Sequence, residues 1–154
     1  MSEGESAQLA AQDAAILNRL KDLLNQQIEQ FHRYIAALEK QQIVLESDGT
    51  EDIPAYIEIE ECAVADIFAI QKVIDPLITM CCTAVHSGDI TALNAVLEDL
   101  KNRARVQSER NRNLLSTRIE GIRGEIAALR NNPLAIAARR SLYHGAASLV
   151  DIEG

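Results

Sequence analysis

From Gln8 to Glu46 the chain has no Gly or Pro, and its large apolar residues recur every three or four positions. Leu17, Leu20, Leu24, Phe31, Tyr34, Leu38 and Leu45 form the stripe, widened by Ile28 and Ile35. That period predicts one amphipathic helix with a near-heptad seam, roughly 55 Å long at 1.5 Å per residue. A helix of this kind needs a partner along its length. SDGT at 47–50 predicts a turn, with Gly49 as helix terminator. Thr50 or Asp52 can cap a second helix that tolerates Pro54 in its first turn.

The second helix is expected from about Asp52 to Val85. Its apolar face comprises Ile53, Tyr56, Ile57, Val64, Ile67, Phe68, Ile70, Val73, Ile74, Leu77 and Ile78. Pro76 inside it should kink or split it, because the ring removes a donor and clashes with the preceding turn. The stretch 77–85, LITMCCTAV, is apolar on nearly every side, so it is either wrapped by the other helices or placed at a protein contact. HSGD at 86–89 predicts the second turn, with Asp89 capping a third helix from about Ile90 to Arg130. That helix is apolar at both ends, through Leu93, Val96, Leu97 and Leu100, then Leu114, Leu115, Ile119, Ile122, Ile126 and Leu129. Its middle, 101–113, is polar and could face Gln26, Gln27, Gln30, Gln41 and Gln42 in a layer that fixes register. Asn131 and Asn132, one of them left-handed, should end it, and Pro133 forbids continuation.

The expected fold is therefore all-α: an antiparallel bundle of three long helices over 8–130. A disordered start covers 1–7, and a short helical or disordered C-terminal tail covers 131–154. The tail carries Leu134, Ile136, Leu142, Tyr143, Leu149, Val150 and Ile152. It is apolar enough to bind something and too short to fold alone. It either docks on its own bundle or serves as a partner-binding segment.

Composition narrows the choice. In 154 residues there are 7 Gly, 3 Pro and 3% aromatics, too few turns and too little filler for a sandwich or barrel. The net charge is −8, unevenly spread. Residues 1–100 hold 5 Lys/Arg against 18 Asp/Glu, and residues 101–140 hold 10 against 3. The plain reading sets a basic helix beside acidic ones. Nucleic-acid binding is the competing one, and it lacks stacking aromatics or a docking motif. The opening MSEGESAQ has no basic and apolar leader pattern, and no uninterrupted apolar run reaches about 18 residues. A cytoplasmic location and no membrane insertion are the expectations. Cys62, Cys81 and Cys82 make no disulfide framework and read as small core residues.

Candidate chemistry is sparse. Glu29-x-x-His32 has the spacing used in di-iron bundles, but no second such pair exists. Cys81, Cys82 and His86 lack a second zinc pair. No phosphate loop or nucleophile elbow is present. The expectation is no enzyme, no metal and no cofactor, leaving a helical binding protein.

Several stretches carry a resemblance: LLNQQIEQFHRYIAALEKQQIVLES (23–47), IQKVIDPLITM (70–80), RNRNLLSTRIEGIRGEIAALRNNP (110–133) and RSLYHGAASLVDIEG (140–154). The chain resembles the FlgN family of flagellar type III export chaperones, most closely its spirochaete-like form. The resemblance implies a cytoplasmic, non-enzymatic escort for hook–filament junction proteins of the FlgK and FlgL type. Such an escort binds their C-terminal helices and delivers them to an export gate of the FlhA type. By position it implies partner-binding residues Ile122, Ile126, Leu129, Leu134, Ile136, Leu142 and Tyr143, with Tyr143 also the gate-docking candidate. The competing expectations are a coiled-coil adaptor that forms a homodimer through 77–85, and a basic-helix nucleic-acid binder.

Overall fold

A computed structural model describes residues 2–47, 52–80, 87–134 and 136–142. Among them every regular element is helical: α1 (Glu3–Glu46), α2 (Ile53–Met80) and α3 (Gly88–Asn131), with residues 133–134 and 136–142 helical again. The all-α expectation holds, and so does the count of three long helices. No helix among the described residues is long and apolar enough to cross a membrane.

The boundaries depart from the sequence reading where local capping chemistry decides them. α1 starts at Glu3, so residues 3–7 of the start expected to be disordered are helical. Ser2 is the N-cap in extended conformation, and its amide donates to the Glu5 carboxylate at 3.3 Å. This is one arm of a capping box. Glu3 and Glu5 also place negative charge in the first turn, where the helix dipole favours it. α1 ends without a described glycine: the Ser47 amide donates to the Ile43 carbonyl at 3.1 Å. The expected terminator Gly49 lies outside the described residues, as does Thr50. α2 starts on Asp52, whose carbonyl accepts from the Tyr56 amide, with Pro54 in the first turn as expected. Pro76 does not split α2, which continues to Met80. The carbonyl it frees belongs to exposed Lys72, which water can reach.

At α3 the cap is Ser87, not Asp89. The Ser87 carbonyl accepts from the Thr91 amide at 3.1 Å, and its hydroxyl accepts from the Ile90 amide at 3.4 Å. Asp89 instead sits in the first turn and pairs with Lys21 at 2.6 Å, which holds its carboxyl below the usual range. The stop after Asn131 also works differently from expectation. No non-glycine residue among those described has a positive φ. Asn132 is a start signal: its side-chain oxygen accepts from the Leu134 amide at 3.0 Å. Its carbonyl accepts from the Ile136 amide at 3.0 Å. With Pro133 in the first position, this is an N-cap followed by a preset φ.

The chain divides into two units, Met1–Arg112 and Asn113–Gly154, and the division falls inside α3. In the first unit, Leu20, Leu23, Leu24, Phe31 and Ile35 of α1 are buried in one cluster with Ile74 of α2 and Ile90, Leu97, Leu100 and Ala104 of α3. Leu38 and Leu45 are buried as well. Of the expected α1 stripe, Leu20, Leu24, Phe31, Ile35, Leu38 and Leu45 are buried and Leu17, Ile28 and Tyr34 half-buried, with Leu23 added. α2 is different. Of its expected face only Ile74 is fully buried, and Ile57, Phe68 and Val73 are exposed. Apolar on more than one side, α2 has one side covered. In the segment expected to self-associate, Leu77 and Ile78 are half-buried, Met80 is exposed, and 81–85 lies outside the described residues. Cys62, expected in the core, is exposed.

Polar pairs record the alignment. Along α1 and α2, Gln27 meets Gln71 while Tyr34 and Gln41 meet Glu60, so the numbers step in opposite senses. Along α1 and α3, Lys21 meets Asp89, while Gln41 and Gln42 meet Asn111 and Gln107, so the numbers rise together from the first pair to the other two. The polar layer expected from 101–113 is thus made by Gln41 and Gln42. Gln27 turns to α2, Gln26 is exposed, and the buried Oε1 of Gln30 has no hydrogen-bond partner.

The layer links all three helices. Buried Asn111 donates to the Leu38 carbonyl and to Gln41 Oε1, each at 2.8 Å, and accepts from Gln107 at 3.0 Å. Gln41 then donates to Glu60, which also accepts from the Tyr34 hydroxyl at 3.3 Å. A buried amide network of this kind penalises any shifted register, because a slip strands its donors. Burial, and then the Glu60 charge, raise the Tyr34 pKa. The folded chain therefore holds that proton more tightly than the unfolded one. Stability is intact below the ordinary tyrosine pKa of about 10 and falls as pH climbs through the folded value. In alkaline denaturation series, Tyr34→Phe should flatten this decline. An unchanged slope would remove Tyr34 as its source.

Candidate partner-binding helix face

Within Asn113–Gly154, Leu115, Ile119, Ile122, Ile126 and Leu129 recur at spacings of four and three. On a helix this places them on one seam, at the apolar positions of successive heptads. Leu114 and Leu115 are half-buried, and from Ile119 onward every described residue is exposed. Ile119, Ile122, Ile126 and Leu129 are 41%, 41%, 48% and 61% exposed. Scattered exposed apolar residues are ordinary, whereas a continuous row on one helix is a candidate contact surface. Covering the exposed part of each side chain is worth about 1 kcal/mol.

Of the residues singled out from sequence, Ile122, Ile126 and Leu129 are brought together on this seam. Leu134, Ile136 and Leu142 lie in the helical segment after Asn132 and are also exposed. At about 100° per residue they spread round that segment and make no seam. Tyr143 lies outside the described residues. Ile119 was missing from the sequence-derived set, although its heptad spacing to Ile122 and Ile126 was already legible.

The flanks of the seam are charged. Arg123 and Arg130 follow Ile122 and Leu129 at equivalent heptad positions, and both are exposed. With Ile126, Ala127 and Asn131 they line a shallow notch of about 300 Å³. Arg118 and Glu125 occupy the other flank by spacing.

The back of the helix carries Gly121 and Gly124, where an added Cβ would meet nothing within 4 Å. Each glycine costs a helix interior about 0.5–1 kcal/mol relative to alanine. Gly121→Ala with Gly124→Ala should therefore raise helicity and tighten the binding of any helix that docks on this face severalfold by pre-organisation. Circular dichroism and a binding titration on the full chain check this. Weaker binding would mean that the face needs a pliable helix.

Other features offer less. Glu29 pairs with Arg33 at 3.7 Å, and His32 beside it is exposed. No group of three or more His, Cys, Asp or Glu side chains that could hold a metal ion occurs among the described residues. Cys81, Cys82, His86 and His144 lie outside them. Of the basic stretch of α3, Lys101 pairs with Glu98 and Arg105 with Glu109, both within the helix.

No family model matches the chain. No solved structure matches it either. It is 30% identical over 121 residues to an uncharacterized protein of Treponema pallidum (strain Nichols), an alignment covering 78% of this chain and 79% of that protein. The chain belongs to the family of that Treponema pallidum protein.

Proposed function

We propose that the chain is a non-enzymatic escort that binds an apolar helix of a client protein. On this reading, the pairings of α1 with α2 and with α3 align the packed unit as an antiparallel, up-down-up bundle. The observation that carries the reading is the exposed seam Ile119–Ile122–Ile126–Leu129. A helix laid against such a row buries both apolar faces, the helix-in-groove mode of recognition. Gly121 and Gly124, on the back of this helix, lower its stability in the free chain. Ordering it on the client then moderates affinity, which suits a protein that must also let go.

The client follows from the resemblance of 23–47, 70–80, 110–133 and 140–154 to flagellar export chaperones. It is the C-terminal helical region of a hook–filament junction protein of the FlgK or FlgL type, bound in the cytoplasm before export. Leu134, Ile136, Leu142 and Tyr143 would extend the contact or engage an export gate of the FlhA type. Mixing the purified full chain with the C-terminal region of such a junction protein tests this. A one-to-one complex by size-exclusion chromatography with light scattering is expected. No complex at about 10 μM would reject the client.

A further inference from the structure

The seam's flanks specify the partner more narrowly. We infer that the helix docking on Ile119–Leu129 belongs to another protein and carries acidic side chains beside its apolar row. The inference rests on the helix-docking reading above. In paired helices, the positions flanking the apolar seam choose the partner by charge. On one flank these positions are Arg123 and Arg130, seven residues apart, both exposed and both lining the notch at Ile126. A carboxylate set beside a partner's apolar residue would reach this notch as that residue packs on Ile126. Arginine's planar fork then offers it paired donors.

Charge gives the other occupants no such advantage. A second copy paired in parallel would set Arg118 against Arg123 of its mate and Glu125 against Arg130, so like and opposite pairs offset and charge gains it nothing. Paired in antiparallel, it would oppose the Arg123–Arg130 row to itself. Like charges at such positions oppose pairing. A nucleic acid fits poorly. Glu120 and Glu125 interrupt the basic residues, and residues 113–142 contain no aromatic side chain for a base to stack on. An apolar row has no use on a phosphate backbone, whereas an acidic amphipathic helix uses row and flank together.

Two designed peptides, each about three heptads long, test the inference. They share one Leu/Ile seam and differ only in Glu or Lys at the flanking positions. Anisotropy titrations with the full chain should show the Glu peptide binding about tenfold tighter at low salt. That margin should shrink as salt rises. Arg123→Glu with Arg130→Glu should reverse the preference without changing helical content, since both side chains are exposed. Equal binding of the two peptides would overturn the charge inference and leave helix docking standing. Binding of neither would overturn both. Self-association of the chain in sedimentation equilibrium, lost in the double variant, would make a second copy the occupant and overturn the inference. So would binding of a single-stranded DNA oligonucleotide as tight as that of the Glu peptide.

Discussion

Ile122→Asp combined with Ile126→Asp is expected to remove the proposed client binding and to leave the folded core as it was. Both side chains sit mid-seam, and each is more than 40% exposed in the free chain. The unit Met1–Arg112 therefore keeps its packing when they change. In the complex each would be a central apolar anchor. Losing such an anchor costs about 2 kcal/mol or more, and forcing a carboxylate into its place adds a desolvation penalty. Together they amount to at least about 4 kcal/mol, a roughly thousandfold loss of affinity. Calorimetric titration with the client helix reads the loss, and circular dichroism reads the unchanged helicity. Binding within about threefold of the parent would place the contact elsewhere. Leu142→Asp, in the segment after Asn132, separates the seam from that segment: it should weaken binding only if the contact extends there.

Leu20→Ala has the opposite signature. Leu20 is fully buried, in one cluster with residues of α2 and α3. Truncation there removes apolar contacts and leaves a cavity, at a cost of about 3–5 kcal/mol. Against a typical total of roughly 5–15 kcal/mol this is a large share. The thermal midpoint should drop by more than about 10 °C, while client binding measured well below the new midpoint is retained. A drop of under about 1 kcal/mol would mean that the site collapses around the smaller side chain. The two variants together separate the packed cluster around Leu20 from the face proposed to bind the client.

Much of this organisation was legible in the residue pattern. The three helices follow from uninterrupted apolar periodicity, and the seam of α1 from its heptad spacing. Register was half legible: glutamines were evident, but which of them met Asn111 and Gln107 depends on helix alignment. Caps were the weak point. Ser2, Ser87 and Asn132 each act through one or two hydrogen bonds, and Ser, Asp and Asn neighbours compete for the same role in sequence. Asp89 shows the difficulty. It has the right chemistry for a cap, yet an ion pair with Lys21, 68 residues away in sequence, is open to it one position inside the helix. The outer side of α2 misled for another reason. Apolar periodicity reports what prefers to be covered, and Phe68, Val73 and Met80 stay uncovered within a single chain. At the candidate site, Ile122, Ile126 and Leu129 were legible. Arg123 and Arg130 gained meaning only once their exposure was known.

Asn132 interrupts the helices for one residue, and it both closes α3 and opens the next segment. A junction so short makes the segment 133–142 separable from α3. Splicing at this point, or grafting a fluorophore or a different terminal helix onto it, breaks no intrahelical bond of α3. Substitutions in residues 136–142 would leave the hydrogen bonds of α3 in place.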